Sequence, residues 1–351
     1  MNEALEYVLG VVVIPAAVSA AIALPFLFRP LRRHATLVEA GLGAAMALAF
    51  LLSFVSELDW RAVARQVATI EGDDAPFERW HRLGLVAAAL VPAAILVGLR
   101  RWRRPVPLGM MLTIEAAIVA AVATAVFVQF PGSTTLVQIG QGALVFASIL
   151  AWTLAGPAVL WSAWTVFGTL AALAGLGGFA SLAVMCGAMS VCAFAIACVA
   201  AVAPGAARAS SDAVSSPASS DAVPTPASSD AVSTPASTGA VPTPAPDAIG
   251  ARGALIVVLG TMAALIARCG MAYDTLGVSP AVWTAAVLLP LAGIAFSRRV
   301  RATPRPAMRT FWCWIGTALL ALALLGTVAL SQGGSKSDDT GGDDMMDMYG
   351  G

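Results

Sequence analysis

The chain has 351 residues, 59% of them apolar and 11% charged, with a mean hydropathy of +0.83. Soluble domains hold roughly 45–50% apolar and about 25% charged residues, so an ordinary water-soluble protein is excluded. Twenty basic residues balance twenty acidic ones, and no basic domain of the kind that nucleic-acid binding requires is present.

The first seven residues, Met1–Tyr7, are acidic and lack a basic n-region, so the apolar segment behind them is expected to stay in the mature protein. About 20 apolar residues at a rise of 1.5 Å each cross a 30 Å hydrocarbon core. Ten stretches meet this need: 5–28, 36–56, 82–99, 108–130, 135–155, 158–176, 179–203, 253–272, 279–297 and 310–331. The fourth to seventh run through Ala116–Ala207, 92 residues without Asp, Glu, Lys or Arg. There the cuts fall at Gly156-Pro157 and Gly175–Gly178, because Gly and Pro are the strongest breakers. The expected fold class is all-α, a polytopic transmembrane helical bundle of ten spans arranged seven plus three.

Between spans two and three, Trp60, Val63, Ala64, Val67 and Ile70 recur at helical spacing with Arg61, Arg65 and Gln66 between them. That pattern predicts an outer interfacial helix near 58–71. Asp74-Ala75-Pro76 reads as an N-cap with an early-helix Pro, and Phe77 and Trp80 as interfacial anchors.

After the seven-span module (1–203) comes a Ser/Ala/Pro-rich linker, 204–252. Within it a nonapeptide occurs four times, from Ser210–Ala218 (SSDAVSSPA) to Ser237–Ala245 (STGAVPTPA). Each copy carries one Val and at least one Pro, and none offers an apolar face to stack, so the linker is expected to be disordered. A three-span module (253–331) and a flexible Gly/Asp/Met tail (332–351) follow.

Orientation follows from Arg and Lys in the connections. With the N-terminus outside, fourteen fall in the cytoplasmic loops: Arg29, Arg32 and Arg33; Arg100, Arg101, Arg103 and Arg104; Arg208 and Arg252; and Arg298, Arg299, Arg301, Arg305 and Arg309. Five remain outside, and Arg268 lies within a span. Both termini are thus predicted outside an inner (plasma) membrane, with the repeat linker cytoplasmic.

Ionisable groups within spans are costly and are the default functional candidates. Glu39 lies close enough to the cytoplasmic border to reach the interface. Glu115, about 10 Å into span four, is the best intramembrane candidate, as a protonatable carrier group or as a neutral acid bonded to a neighbouring helix. The packing role is preferred. Arg268 is expected to snorkel outward or to pair with Asp274. Gln129, Gln138 and Gln141 lie near the outer edge, where they would line a vestibule or bond between helices; the second role is preferred. In the tail, Asp343, Asp344, Met345, Met346, Asp347 and Met348 are a weak metal candidate without fixed ligand spacing.

Several chemistries are excluded by the residues themselves. His34 and His81, the only histidines, fall on opposite sides of the membrane in this topology, which removes paired-His haem ligation and intramembrane Ser–His proteolysis. The sole Lys, Lys336, is in the tail, so a retinal Schiff base has no anchor. There is no H-E-x-x-H, P-loop or dinucleotide fingerprint. Five Cys within apolar segments give no disulfide framework. No cofactor is implied. The expected function is that of a structural or accessory component of the lipid bilayer that acts through lateral partners in the membrane, a membrane protein being the possible partner, or through its two tethered modules. The alternative is a small-solute transporter or channel with Glu115 near its pathway. An enzyme is not expected, for want of a convergent acid–base set.

Overall fold

The computed structural model describes residues 2–27, 35–58, 79–103, 109–130, 133–155, 158–202, 253–300 and 306–334. The expected interfacial helix, the repeat linker and the acidic tail lie outside the described residues, as does Pro157.

The described residues form an all-α bundle without strands. In chain order the helices are α1 (Asn2–Val8), a π-helical turn (Leu9–Val13), α2 (Ile14–Leu27), α3 (Ala35–Glu57), α4 (Arg82–Arg103), α5 (Gly109–Phe127), α6 (Thr135–Leu154), α7 (Val159–Leu176), α8 (Ala180–Val202), α9 (Gly253–Tyr273), α10 (Pro280–Val300) and α11 (Pro306–Gly334). A helix falls on each of the ten apolar stretches. Eight are long and apolar enough to cross a bilayer, the first being continuous over Ala4–Leu27. The described apolar runs of α5 and α10, Thr113–Phe127 and Pro280–Ala292, are shorter.

The π-turn has a local cause. Pro15 has no N–H, and its ring would press on the carbonyl one turn back; a wider turn ahead of it relieves that contact. The Ile14 N–H accordingly bonds back to the Leu9 carbonyl, five residues away. Pro92 and Pro290, by contrast, sit inside continuous helices.

The centre of the bundle is α9. Its sequence is apolar apart from Thr261, Arg268 and the Tyr273 hydroxyl, and 89% of its spanning window is buried, against 24% for α11 and 33% for α4. It packs on α3, α4, α5, α6, α7 and α10. The first helix after the linker therefore sits among the helices that precede the linker. Glycine permits the closest approaches. A Cβ on Gly260 would lie 2.7 Å from the Ile149 Cα of α6, and one on Gly270 would overlap the Trp283 ring of α10. Gly43 of α3 rests against the backbone of Ala254 and Leu255, 3.3 Å from where its Cβ would be. Small residues at helix contacts are how apolar helices associate closely in lipid.

Contacts between distant segments define two ends. On the N-terminal face, Tyr7, Glu57, Trp80, Phe179 and Tyr273 lie together. On the opposite, linker face, an aromatic layer joins α7, α8 and α11: Trp164 stacks on Trp314 at 5.7 Å, and Phe194 lies 4.9 Å from Trp164. Trp314 Nε1 donates to Thr165 Oγ1 at 3.1 Å, so its polar edge is satisfied. Aromatic rings with one polar edge suit the level of lipid headgroups.

Candidate functional site

Helices α4 and α5 both pack on α9 but scarcely touch one another. The space between them is a cavity of about 680 Å³, walled by α4 and α5 and floored by Val257 and Thr261 of α9. Leu85, Val119 and Phe127 on its walls are each about two-thirds or more exposed, so it opens sideways on the outer apolar surface of the bundle. The lining is apolar except at a few points: Arg82 at the N-terminal end, Arg100 at the linker end, and Glu115, Thr124 and Thr261 between them. Apolar walls with a few placed polar groups are the usual form of a ligand site.

The polar groups differ in how they are satisfied. Thr124 Oγ1 donates to the Ala120 carbonyl at 2.8 Å within its own helix. Thr261 is 1% exposed and its hydroxyl has no hydrogen-bond partner among the described residues. Glu115 is exposed to the groove, and Arg100 is exposed at its mouth. Neither has a hydrogen-bond or ion-pair partner among the described residues. The preferred packing role gave Glu115 a bond to a neighbouring helix, and no such bond is found among the described residues.

The three glutamines are not brought together as a vestibule. Gln141 is buried, and its Nε2 donates to the carbonyls of Thr124 (2.8 Å) and Val128 (2.9 Å), closing the end of α5. Carbonyls at a helix C-terminus lack intrahelical partners, and this amide supplies one from α6. Gln129 is exposed and Gln138 half-buried. Gln141→Leu should lower bundle stability by about 1 kcal/mol, since the Val128 carbonyl loses its donor. A thermal melt of the purified variant measures it, and an unchanged midpoint would mean the cap is idle.

Arg268 and Asp274 do not pair. Asp274 Oδ1 accepts from the backbone N–H groups of Leu276 (2.9 Å) and Gly277 (3.1 Å), building the turn into α10, and Oδ2 has no partner among the described residues. Gly277 takes φ +78°, a conformation glycine adopts without steric cost. Arg268 is half-buried, seven and eleven residues beyond Thr261 and Val257, and so on the same face of α9. Glu39, expected to reach the interface, is enclosed by the protein at 6% exposure and is engaged by other groups.

At the N-terminal face the Glu57 carboxylate accepts from the Tyr7 hydroxyl and from Ser181 Oγ (2.8 Å), linking α1, α3 and α8. Trp80 is 8% exposed, stacked on His81 at 4.0 Å and edge-on to Phe54 and Phe179. It is part of the core and not the interfacial anchor expected of it. An aromatic next to a charged loop gives the same sequence signal for both placements.

Among the described residues no three His, Cys, Asp or Glu side chains come together to hold a metal ion. The Asp343–Met348 cluster lies outside the described residues. Sequence reasoning missed Arg82, Arg100 and Thr261 as groove residues. The two arginines served it only as orientation signals, and one Thr in an apolar span carries no signal of its own. No family model, curated protein or solved structure matches the chain.

Proposed function

We propose that the protein is an accessory membrane component that works sideways, taking a hydrophobic partner from the bilayer into the groove between α4 and α5. The observation that carries this reading is the placement of space. The helix at the bundle's centre, α9, is buried along its length, while the 680 Å³ cavity faces lipid. A photo-crosslinking residue in place of Val119 should yield one adduct of constant mass from native membranes. The same residue in place of Leu322, exposed on α11, should yield none. Equal labelling at both positions would reduce the groove to ordinary lipid-facing surface.

The proposed setting is an inner (plasma) membrane with both termini outside and the linker cytoplasmic, supported by the Arg distribution. Reporter fusions after Arg104 and after Pro244 are expected to give a cytoplasmic signal. A periplasmic signal at either would break the ten-span topology.

One observation favours a second reading, proton-coupled transport of a small solute: Glu115 sits in the groove without a protein partner among the described residues. On that reading Glu115→Gln abolishes proton-driven uptake in proteoliposomes. On the accessory reading it leaves solute fluxes at background, as they are in the parent.

A further inference from the structure

The groove's dimensions and charges specify its occupant more closely. Arg82 and Arg100 are 18 residues apart on α4, or about 27 Å at helical rise, close to the thickness of a hydrocarbon core. Over that length the groove is lined by apolar side chains and open on one side, a form that suits an extended acyl chain.

The polar groups are unevenly spread. On α5, Glu115 lies 13 residues, or about 20 Å, from Val128 at the N-terminal end of the groove. This puts Glu115 about 7 Å short of the Arg100 level. Val257 and Thr261 belong to the same half, since they follow directly on the α9 segment that rests on Gly43. One mouth therefore carries a cation and a carboxylate that are not paired with each other, and a buried hydroxyl with no partner among the described residues lies alongside. Glu115 and Thr261, set among apolar side chains, are costly unless a ligand satisfies them.

We propose that the groove holds a phospholipid with an amine-bearing, zwitterionic headgroup at the linker face. This rests on reading the groove as the lateral binding surface. The phosphate lies on the Arg100 guanidinium, which can grip it through two parallel N–H bonds. The headgroup ammonium donates to Glu115. The Glu115 side chain tilts toward the N-terminus of α5 and so toward the linker face, while the Arg100 side chain tilts toward the N-terminus of α4 and into the groove, which brings the two groups to one level. The Thr261 hydroxyl donates to an ester carbonyl of the lipid, and one acyl chain runs along the groove toward Arg82. A partner helix with an apolar face leaves Arg100 and Glu115 unsatisfied. A simple anionic phospholipid leaves Glu115 facing a phosphate.

The test uses the full-length protein, solubilised and incubated with mixed vesicles containing equimolar phosphatidylethanolamine, phosphatidylcholine and phosphatidylglycerol. Retained lipid is read by native mass spectrometry. The expected result is retention of phosphatidylethanolamine over phosphatidylcholine by about tenfold, the discrimination of one charge-assisted hydrogen bond that a trimethylated headgroup cannot make. Glu115→Gln should bring that ratio to within about twofold while lipid is still bound, and Arg100→Gln should reduce retention of all three lipids. Val119→Trp, at a wall position 67% exposed and so tolerant of bulk, should empty the groove. An unchanged headgroup ratio in Glu115→Gln overturns the assignment of the ligand but leaves the groove standing. Full lipid retention in Val119→Trp, or a protein captured at that position, overturns the lipid-filled groove itself.

Discussion

Gly260→Val is expected to unfold the bundle or to lower its thermal midpoint more than any other single substitution in α9. The Cβ of any replacement would lie 2.7 Å from the Ile149 Cα and 2.8 Å from its backbone N. The obstacle is main chain in a neighbouring helix, which no rotamer change can clear. Overpacking of a closed interior costs about 1–3 kcal/mol where side chains can yield, and more where backbone must move. Because α9 also touches α3, α4, α5, α7 and α10, a shift away from α6 disturbs those contacts as well. Gly140 and Gly326 provide the control, since a methyl group added at either would meet nothing within 4 Å. Alanine at either should be neutral or stabilising by up to about 1 kcal/mol through helix propensity. Melting curves of the three variants in one detergent decide the matter; equal midpoints would mean that α9 and α6 are not in contact.

The second large effect concerns the chain's division. Expressed as two polypeptides without the linker, 1–203 and 253–351 are expected to assemble and co-purify at equal stoichiometry. Expressed alone, the longer piece should be degraded, because it lacks the helix that fills its centre. With 17 of the 21 residues of α9 buried, its removal would leave a helix-sized void lined by α3, α4, α5 and α6. A cavity loses the packing of every group that lined it. Stable accumulation of 1–203 by itself would show that the seven-span module closes without α9.

Much of the architecture is legible in the residues. The apolar runs, the Gly-Pro and Gly-Leu-Gly-Gly breaks and the long uncharged block locate every described helix to within a few residues. The turn at Gly178 shows why that break is readable: its φ is +80°, a value glycine adopts freely. The π-turn ahead of Pro15 is not legible, because a proline in an apolar run signals a disturbance without saying how the helix absorbs it. Of the groove's polar residues, only Glu115 stands out in the sequence, by its cost in lipid. Outside the groove, Gln141 also stands out, though its residue type fits pore lining and helix bonding alike. Arg100 reads only as a topology signal, and Thr261 is indistinguishable from other hydroxyls in spans.

By itself, the sequence determined that the described residues form apolar helices, and it placed the ends of those helices to within a few residues. It did not determine which helix is central. The hydropathy of α9 hardly differs from that of α11, yet one is enclosed and the other lies at the rim. The reason is physical. In water, a polar face marks the outside of a helix, whereas in a bilayer the lipid and the protein interior are both apolar, and the pattern loses its inside–outside signal. Small residues then settle which helices meet, through close contacts such as Gly260 on Ile149 and Gly43 on Ala254. Only the folded bundle shows that α4 and α5 stand apart over α9, and that this gap places Arg100, Glu115 and Thr261 in one groove.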